Sequence, residues 1–262
     1  MSTPAGRTVA KPASSAADFG RWLGSATGSL MRREVAARVG AVLPNLFGYH
    51  AIQLGGYGDE DLLCTSRISH RCHVQLGTGS AAPSTVDLIG DPAALPFAAD
   101  SVDVMLLPHV LEFSADPHQV LREAERVLIG EGHLLILGFN PWSWFGLWRL
   151  LFGWRGAMPW SGRFYGLTRV KDWLKLLGFE VIDRQYFFHR PPVRSPALSR
   201  RLGFLEHLGA WLWRGTGGAY LMVAKKRVEC LIPLRTQWRL RRRVIAAGVA
   251  EPSLRRMTGR DG

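Results

Sequence analysis

The chain has 262 residues, is 47% hydrophobic and carries a formal net charge of +12. That is enough apolar material for one large buried core, and three cysteines (Cys64, Cys72, Cys230) exclude a disulfide-built fold and fit a reducing cytoplasm. The charge is local: residues 225–262 hold 11 Lys/Arg against 3 Asp/Glu, so the rest of the chain is only mildly basic. Residues 1–17 are small and polar and read as a disordered segment; no apolar run follows Arg7 and Lys11, so no secretory leader is expected. From Asp18 to Leu43 helical spacing appears in Phe19, Trp22, Leu23, Leu30, Val35, Val39 and Val42, broken at Gly24 and Gly28 and closed by Pro44. This gives an N-terminal helical segment over 18–45.

His50–Leu54 is a short apolar run ending in Gly55-Gly56-Tyr57-Gly58, and Asp59–Leu63 has helical character. His73–Leu76, Thr85–Ile89 and Val102–Leu107 read as further strands. Asp116-Pro117 is a helix start, with Asp as cap, Pro at the first helical position and Gln119 at the capping-box site. Val120, Leu121, Ala124, Val127 and Leu128 share one face of that helix. Gly130-Glu131-Gly132 is expected to end it, before an apolar strand, His133–Phe139, of the kind found in the middle of a parallel sheet. A helix over 168–177, a strand over 179–188, a helix within 195–214 and a last strand over 219–224 complete the series. The alternation predicts an α/β layer architecture.

The stretch from Gly90 to Leu137 carries a longer pattern: Asp91, then Leu95-Pro96-Phe97, Ser101-Val102-Asp103 opening a strand, Arg126-Val127-Leu128 on a helix, and Glu131-Gly132 before the apolar strand. In this order the segment resembles the class I S-adenosylmethionine-dependent methyltransferases of the type 11 branch. Gly138–Arg149, Pro159-Trp160 and the segment from Lys171 to Val181 are similar to a group of small bacterial proteins with the same assignment. The resemblance covers residues 46–226 and leaves 227–262 as a basic tail. It implies a Rossmann-like three-layer sandwich with a seven-stranded, mostly parallel sheet whose last strand is antiparallel. It also implies S-adenosylmethionine at the carboxyl ends of the first strands, where open α/β sheets bind ligands. Asp91, with Ala93 beside it, matches the family position that accepts a hydrogen bond from the adenine amino group; the plainer reading is that Asp91 only caps its own turn.

The family's first motif is an acidic residue, any residue, then Gly-x-Gly-x-Gly, because the backbone must turn tightly beside the cofactor. Here Gln53 stands in the acidic position, Gly55, Gly56 and Gly58 supply glycines, and Tyr57 takes the middle glycine position. Gln53 accepts a hydrogen bond but brings no charge. The second strand ends near Leu76-Gly77-Thr78 without the acid that binds the ribose.

On the acceptor side, His109 is placed for a general base and Asn140 to orient a polar group, against readings as a hydrogen-bonded histidine beside Pro108 and as a turn residue before Pro141. The run Phe139–Trp154 suggests a pocket lid or an interfacial anchor, or ordinary core. The longer stretch Leu134–Trp154 is not a membrane span, because Leu134–Phe139 is already a strand and Asn140-Pro141 interrupts it. His70-Arg71-Cys72-His73 lacks a second cluster, so no metal is expected. The tail, with Arg239, Arg241–Arg243, Arg255 and Arg256, has the chemistry to hold nucleic acid or an anionic membrane, or to be a solvated extension. Two functions stand at this point. One is cytoplasmic methyl transfer to an unidentified apolar or aromatic small molecule; the other is a non-catalytic binding protein on the same fold.

Overall fold

A computed structural model describes residues 12–58, 60–76, 86–152, 160–189 and 217–228. The tail beyond 228 and the helix expected within 195–214 lie outside them. Seven strands form one sheet: β1 (His50–Leu54), β2 (His70–Leu76), β3 (Leu88–Gly90), β4 (Val102–Pro108), β5 (Leu128–Phe139), β6 (Phe179–Phe187) and β7 (Ala219–Lys226). Their order is β3-β2-β1-β4-β5-β7-β6, with β7 antiparallel to both neighbours and the other pairs parallel. The strand order reverses between β1 and β4, which opens a crevice at their carboxyl ends.

β4 is buried along its whole length, as its nearly all-apolar sequence requires of a central strand. Asp103 breaks that run for a reason: its Oδ2 accepts the Tyr49 and His50 N–H groups, both at 2.9 Å, and so caps the entry to β1. One face of the sheet is covered by α1 (Pro12–Leu23) and α2 (Ala26–Val42), whose Met31, Val35 and Val39 pack on Ala51, Val104 and Leu106. The other face is covered by α4 (Pro117–Val127) and α6 (Leu167–Leu176), through Val120, Leu121, Ala124, Val170 and Leu174. A short α3 (Val110–Phe113) follows β4, and α5 (Trp144–Phe152) follows β5.

Four expectations from sequence are corrected. Helix α1 begins at Pro12, inside the segment read as disordered; proline suits a first helical position, and Phe19 and Leu23 anchor the helix in the core. The break before α2 is at Gly24-Ser25, where the Ser25 hydroxyl caps Gly28 N–H. Gly28 itself lies inside α2, because any Cβ there would come within 2.3 Å of the Trp22 carbonyl oxygen. No helix forms after β1 among the described residues. Asp61 bonds the Leu63 N–H through its side chain, a local turn that competes with helix, and α2 already covers that face. Finally, α4 stops at Val127 and the chain runs straight into β5. Gly130-Glu131-Gly132 is a bulge within that strand: Glu131 is left-handed (φ 68°), and the register with β4 skips between Val102 and Val104.

Candidate active site at the β1 and β4 strand ends

β1 ends at Leu54 and the chain turns sharply. The Gly55 N–H donates to Val74 O at 2.7 Å. Gly55 (φ +87°) and Gly58 (φ +65°) hold left-handed conformations that side chains resist, and a Cβ on Gly56 would meet nothing within 4 Å. Tyr57 turns inward and is fully buried. Its ring lies parallel to that of His109, with planes 11° apart and centroids 5.9 Å apart. Burial pushes the Tyr57 hydroxyl well above its ordinary pKa, with Arg32 pulling it down and Glu112 adding to the rise, so the hydroxyl stays protonated.

His109 follows β4 in a left-handed conformation (φ 57°), unusual for a non-glycine residue. Its N–H donates to Leu137 O at 3.1 Å, which ties it to β5. One turn later on α3, Glu112 places Oε1 3.2 Å from His109 Nδ1, and the same oxygen accepts the Phe139 N–H at 2.7 Å. A carboxylate on Nδ1 keeps the proton there and leaves Nε2 as the acceptor, the tautomer a general base needs. Both side chains are buried. Phe139 sits 4.1 Å from the imidazole centroid, and Phe19 of α1 closes the other side at 5.3 Å.

Four buried polar atoms at these strand ends have no hydrogen-bond partner among the described residues: Gln53 Oε1, Tyr57 Oη, His109 Nε2 and Glu112 Oε2. An unmatched buried polar atom costs about 1–3 kcal/mol, and four at one crevice mark where a ligand or water completes the bonding. Gln53 spends its amide nitrogen on Gly55 O at 3.0 Å, holding the glycine turn and leaving its carbonyl oxygen free to accept.

The other expected cofactor residues lie on the same edge. Asp91 Oδ1 accepts the Ala93 N–H at 2.9 Å and the Ala94 N–H bonds Asp91 O, so one oxygen of Asp91 does cap its own turn. The Asp91 residue is exposed. Ala93 is fully committed, because its carbonyl accepts from Gln119 Nε2 at 3.3 Å. Gln119 therefore braces the Asp91 turn instead of completing a capping box, while Asp116 caps α4 as expected. Arg126 fixes the adjoining loop, donating to Leu95 O and Phe97 O at 3.0 Å each and pairing with Glu123. This contact explains why an arginine on the helix accompanies Leu-Pro-Phe in the sequence.

Asn140, at the end of β5, is 2% exposed; its Oδ1 accepts from Trp142 N and its Nδ2 donates to Gly217 O. Both ends of the amide hold the rim, which is the turn role. Beside it a cavity of ≈ 330 Å³ opens among Trp142, Phe164, Tyr165, Arg169 and Tyr186. Phe164 lines this cavity and stacks on Phe139 at 4.9 Å, and Phe139 in turn lies against His109. His73 is held between Asp61, at 2.9 Å, and Asp87, which accepts its N–H at 2.8 Å. No group of three or more His, Cys, Asp or Glu able to hold a metal occurs among the described residues.

Sequence reasoning missed Glu112 and the closure by Phe19. The signal for Glu112 was present in His109-Val110-Leu111-Glu112, a spacing of three that aligns the two side chains on one helical turn. Phe19 lay in a segment assigned outside the domain.

Residues 72–136 match the family described as "Methyltransferase domain". The chain is 39% identical over 164 residues to the uncharacterized protein YafS of Escherichia coli, covering 63% of this chain and 66% of that protein. It is 28% identical over 202 residues to the uncharacterized protein Rv2003c of Mycobacterium tuberculosis, covering 69% and 66%. The chain thus spans just under two thirds of the length of these relatives. Among solved structures, a SAM-dependent methyltransferase from Archaeoglobus fulgidus superposes with a TM-score of 0.54 at 18% identity, covering 74% of this chain and 94% of that one. Another, from Mesorhizobium loti, gives 0.51 at 14% identity, covering 72% and 96%. At such identities the likeness is one of fold. The matched domain over residues 72–136 and the sheet order agree with that likeness: the chain has the fold of these S-adenosylmethionine-dependent methyltransferases.

Proposed function

We propose that the protein transfers a methyl group from S-adenosylmethionine to a small, partly aromatic or apolar acceptor at the β1–β4 crevice. The observation that carries this reading is the group of four unpartnered buried polar atoms there. Their chemistry suits the cofactor. Gln53 Oε1 accepts from its ammonium, the backbone beyond Gly55 approaches without a Cβ, and Asp91 Oδ2 accepts from the adenine amino group. Glu112 Oε2, a buried and unmatched carboxylate oxygen, supplies the negative charge that Gln53 lacks. When bound, S-adenosylmethionine offers an activated methyl on a cationic sulfur that leaves as a neutral thioether. The protein's own task is to position the acceptor, which is worth about 7–11 kcal/mol when the reacting atoms are well aligned, and to take its proton at His109 Nε2. Glu112 then stabilises the imidazolium. Phe19 leaves His109 for the acceptor to enter, and the aromatic cavity beside Asn140 receives the acceptor's apolar body.

Isothermal calorimetry and thermal shift with S-adenosylmethionine and S-adenosylhomocysteine test the reading. Ligand at 100 times its Kd stabilises the fold by about 2.7 kcal/mol, which raises Tm by several degrees. No heat and no shift at millimolar ligand would leave the non-catalytic binding protein as the correct reading. Asp91→Ala should remove most of any shift; an unchanged variant means that adenine lies elsewhere.

A further inference from the structure

Helix α5 is a surface element with an apolar sequence on every side. Its nine residues, Trp144–Phe152, contain one charge, Arg149, which is turned inward to donate to Gly162 O at 2.8 Å and to lie over the Phe164 ring. Phe145 and Trp148 pack into the core. The opposite side stays bare: Trp144 is 48% exposed, Leu147 43% and Leu150 80%. Residues three apart share one face of a helix, so these three form a single stripe. Trp142, 82% exposed, continues it. Its loop is clamped to α5, since a Cβ on Gly146 would come within 1.8 Å of the Pro141 oxygen. A soluble surface helix carries polar residues on its outer side, and this one does not.

The charge of the segment that carries the stripe points to what covers it. Between Glu131 and Asp172 there is no acidic residue, while Arg149, Arg155, Arg163, Arg169 and Lys171 all fall in that interval. So do five of the ten tryptophans. Arg163 and Arg169 are exposed. Tryptophan at a boundary, leucine beyond it and arginine around it is the composition of an element lying in a membrane interface, where anionic headgroups receive the cations. A second copy of the chain would bring the same positive charge against itself. Nucleic acid takes stacking rings, and the leucines offer none. Nine residues are far too few to span a bilayer.

We propose that Trp142 and the outer face of α5 (Trp144, Leu147, Leu150) form a lipid-contact surface that seats this protein in the interface of an anionic phospholipid membrane. The stripe adjoins the cavity beside Asn140. If the methyl-transfer reading holds, on which this consequence rests, the acceptor is an amphiphile taken from the lipid surface. The surface itself does not depend on that reading.

The test uses the full-length chain without cofactor, with vesicles of phosphatidylcholine alone and of phosphatidylcholine mixed with phosphatidylglycerol, at low and high salt. Flotation reads binding, and quenching of tryptophan fluorescence by brominated acyl chains reads insertion. The basic tail is kept intact throughout, and the variants are Trp142→Glu with Leu150→Glu, and Leu150→Gln alone. Both positions are exposed, so circular dichroism and Tm should match the wild type. Wild type should bind the anionic vesicles with quenching. Each arginine at the surface contributes about fivefold, so removing the anionic lipid should weaken binding at least tenfold. The double variant should lose quenching and at least tenfold in partitioning, with Leu150→Gln between. Wild type that ignores vesicles overturns the proposal, as does binding without quenching, or a double variant that binds and quenches like wild type. A dimer in light scattering that the double variant dissociates, with no vesicle binding, assigns the face to a second copy instead.

Discussion

Glu112 offers the sharpest test of the crevice, because the same substitution should act in opposite directions on stability and on cofactor affinity. In the folded protein Glu112 Oε1 accepts from His109 Nδ1 and Phe139 N, and Oε2 has no partner among the described residues. Glu112→Gln preserves shape and leaves an amide oxygen for both donors. A hydrogen bond to a charged group contributes about 1.5–3 kcal/mol and a neutral one about 0.5–1.5, so two weakened bonds cost roughly 2–3 kcal/mol. Against this, the buried carboxylate carries a desolvation penalty of several kcal/mol when incompletely paired. The sum is near zero or favourable, and Tm should hold or rise slightly. Glu112→Ala removes the acceptor altogether and strands two buried N–H groups at about 1–3 kcal/mol each. At about 2–4 °C per kcal/mol for a chain of this size, its Tm should fall by roughly 4–24 °C.

Cofactor affinity should move the other way. Loss of one charge-to-cation contact, about 1–2 kcal/mol, makes Glu112→Gln roughly 5- to 30-fold weaker for S-adenosylmethionine by calorimetry. S-adenosylhomocysteine keeps the ammonium and lacks the sulfonium, so it reports which cation the carboxylate faces. An equal loss for both ligands places Glu112 at the ammonium; a loss for S-adenosylmethionine alone places it at the sulfur. If Glu112→Gln loses as much Tm as Glu112→Ala and binds both ligands as wild type does, Glu112 is a structural carboxylate and the site reasoning fails.

Phe19→Ala removes a buried ring, a change of about 3–5 kcal/mol in a rigid core. Because Phe19 and Leu23 anchor α1 in the core, losing the ring should instead loosen that helix, so hydrogen exchange over residues 12–23 should accelerate while cofactor binding tightens. Arg126→Met frees the Leu95–Phe97 loop and should lower the urea midpoint, modestly because the arginine is partly exposed, and should weaken adenosine binding by calorimetry. The Arg126 hydrogen bond, together with the Leu95 N–H, holds the Glu123 carboxyl below its ordinary pKa of 4.5. The unfolded chain therefore takes up a proton first, and stability from this pair is complete above pH 4.5 and lost as pH falls through the depressed value. Urea titrations across that range should show the loss in wild type and its absence in Glu123→Gln; equal slopes would refute it.

The parts of the fold legible in the sequence are those in which local chemistry and tertiary packing agree. Asp116-Pro117 caps α4 as read, and the apolar residues over 102–107 and 133–139 occupy the middle of the sheet. Legibility failed where a local signal had two structural uses. Gly130-Glu131-Gly132 reads as a helix stop, but the same freedom of φ builds a bulge once β5 pairs with β4. The apolar spacing over Asp59–Leu63 reads as helix, yet Leu62 and Leu63 are buried as turn residues, and the face a helix would cover belongs to α2. At the crevice, the family resemblance pointed to Gln53, Asp91 and the glycines, and the place just past β4 pointed to His109. It could not show that Asn140 and Ala93 are consumed by bonds to the rim, because those bonds come from Gly217 and Gln119, distant in the chain.

The same limit explains why the first motif looked more degraded than the crevice is. Read along the chain, Gln53 is a lost charge and Tyr57 an obstruction. In space, Tyr57 swings away from the glycine turn to lie parallel to His109, so Gly55 and Gly58 still make the bend. The missing carboxylate has a counterpart at the same strand ends: Glu112 is as deeply buried, carries an unmatched oxygen, and also orients the histidine. A carboxylate on β1 would have added a second buried negative charge to that crevice, and like charges buried together raise one another's cost. On the proposed reading, then, the neutral Gln53 follows from Glu112, and restoring an acid on β1 should help only once Glu112 has been neutralised. Gln53→Glu alone should lower Tm, while Gln53→Glu with Glu112→Gln should recover part of the lost cofactor affinity. An additive double variant by calorimetry would show that the two positions do not share a charge.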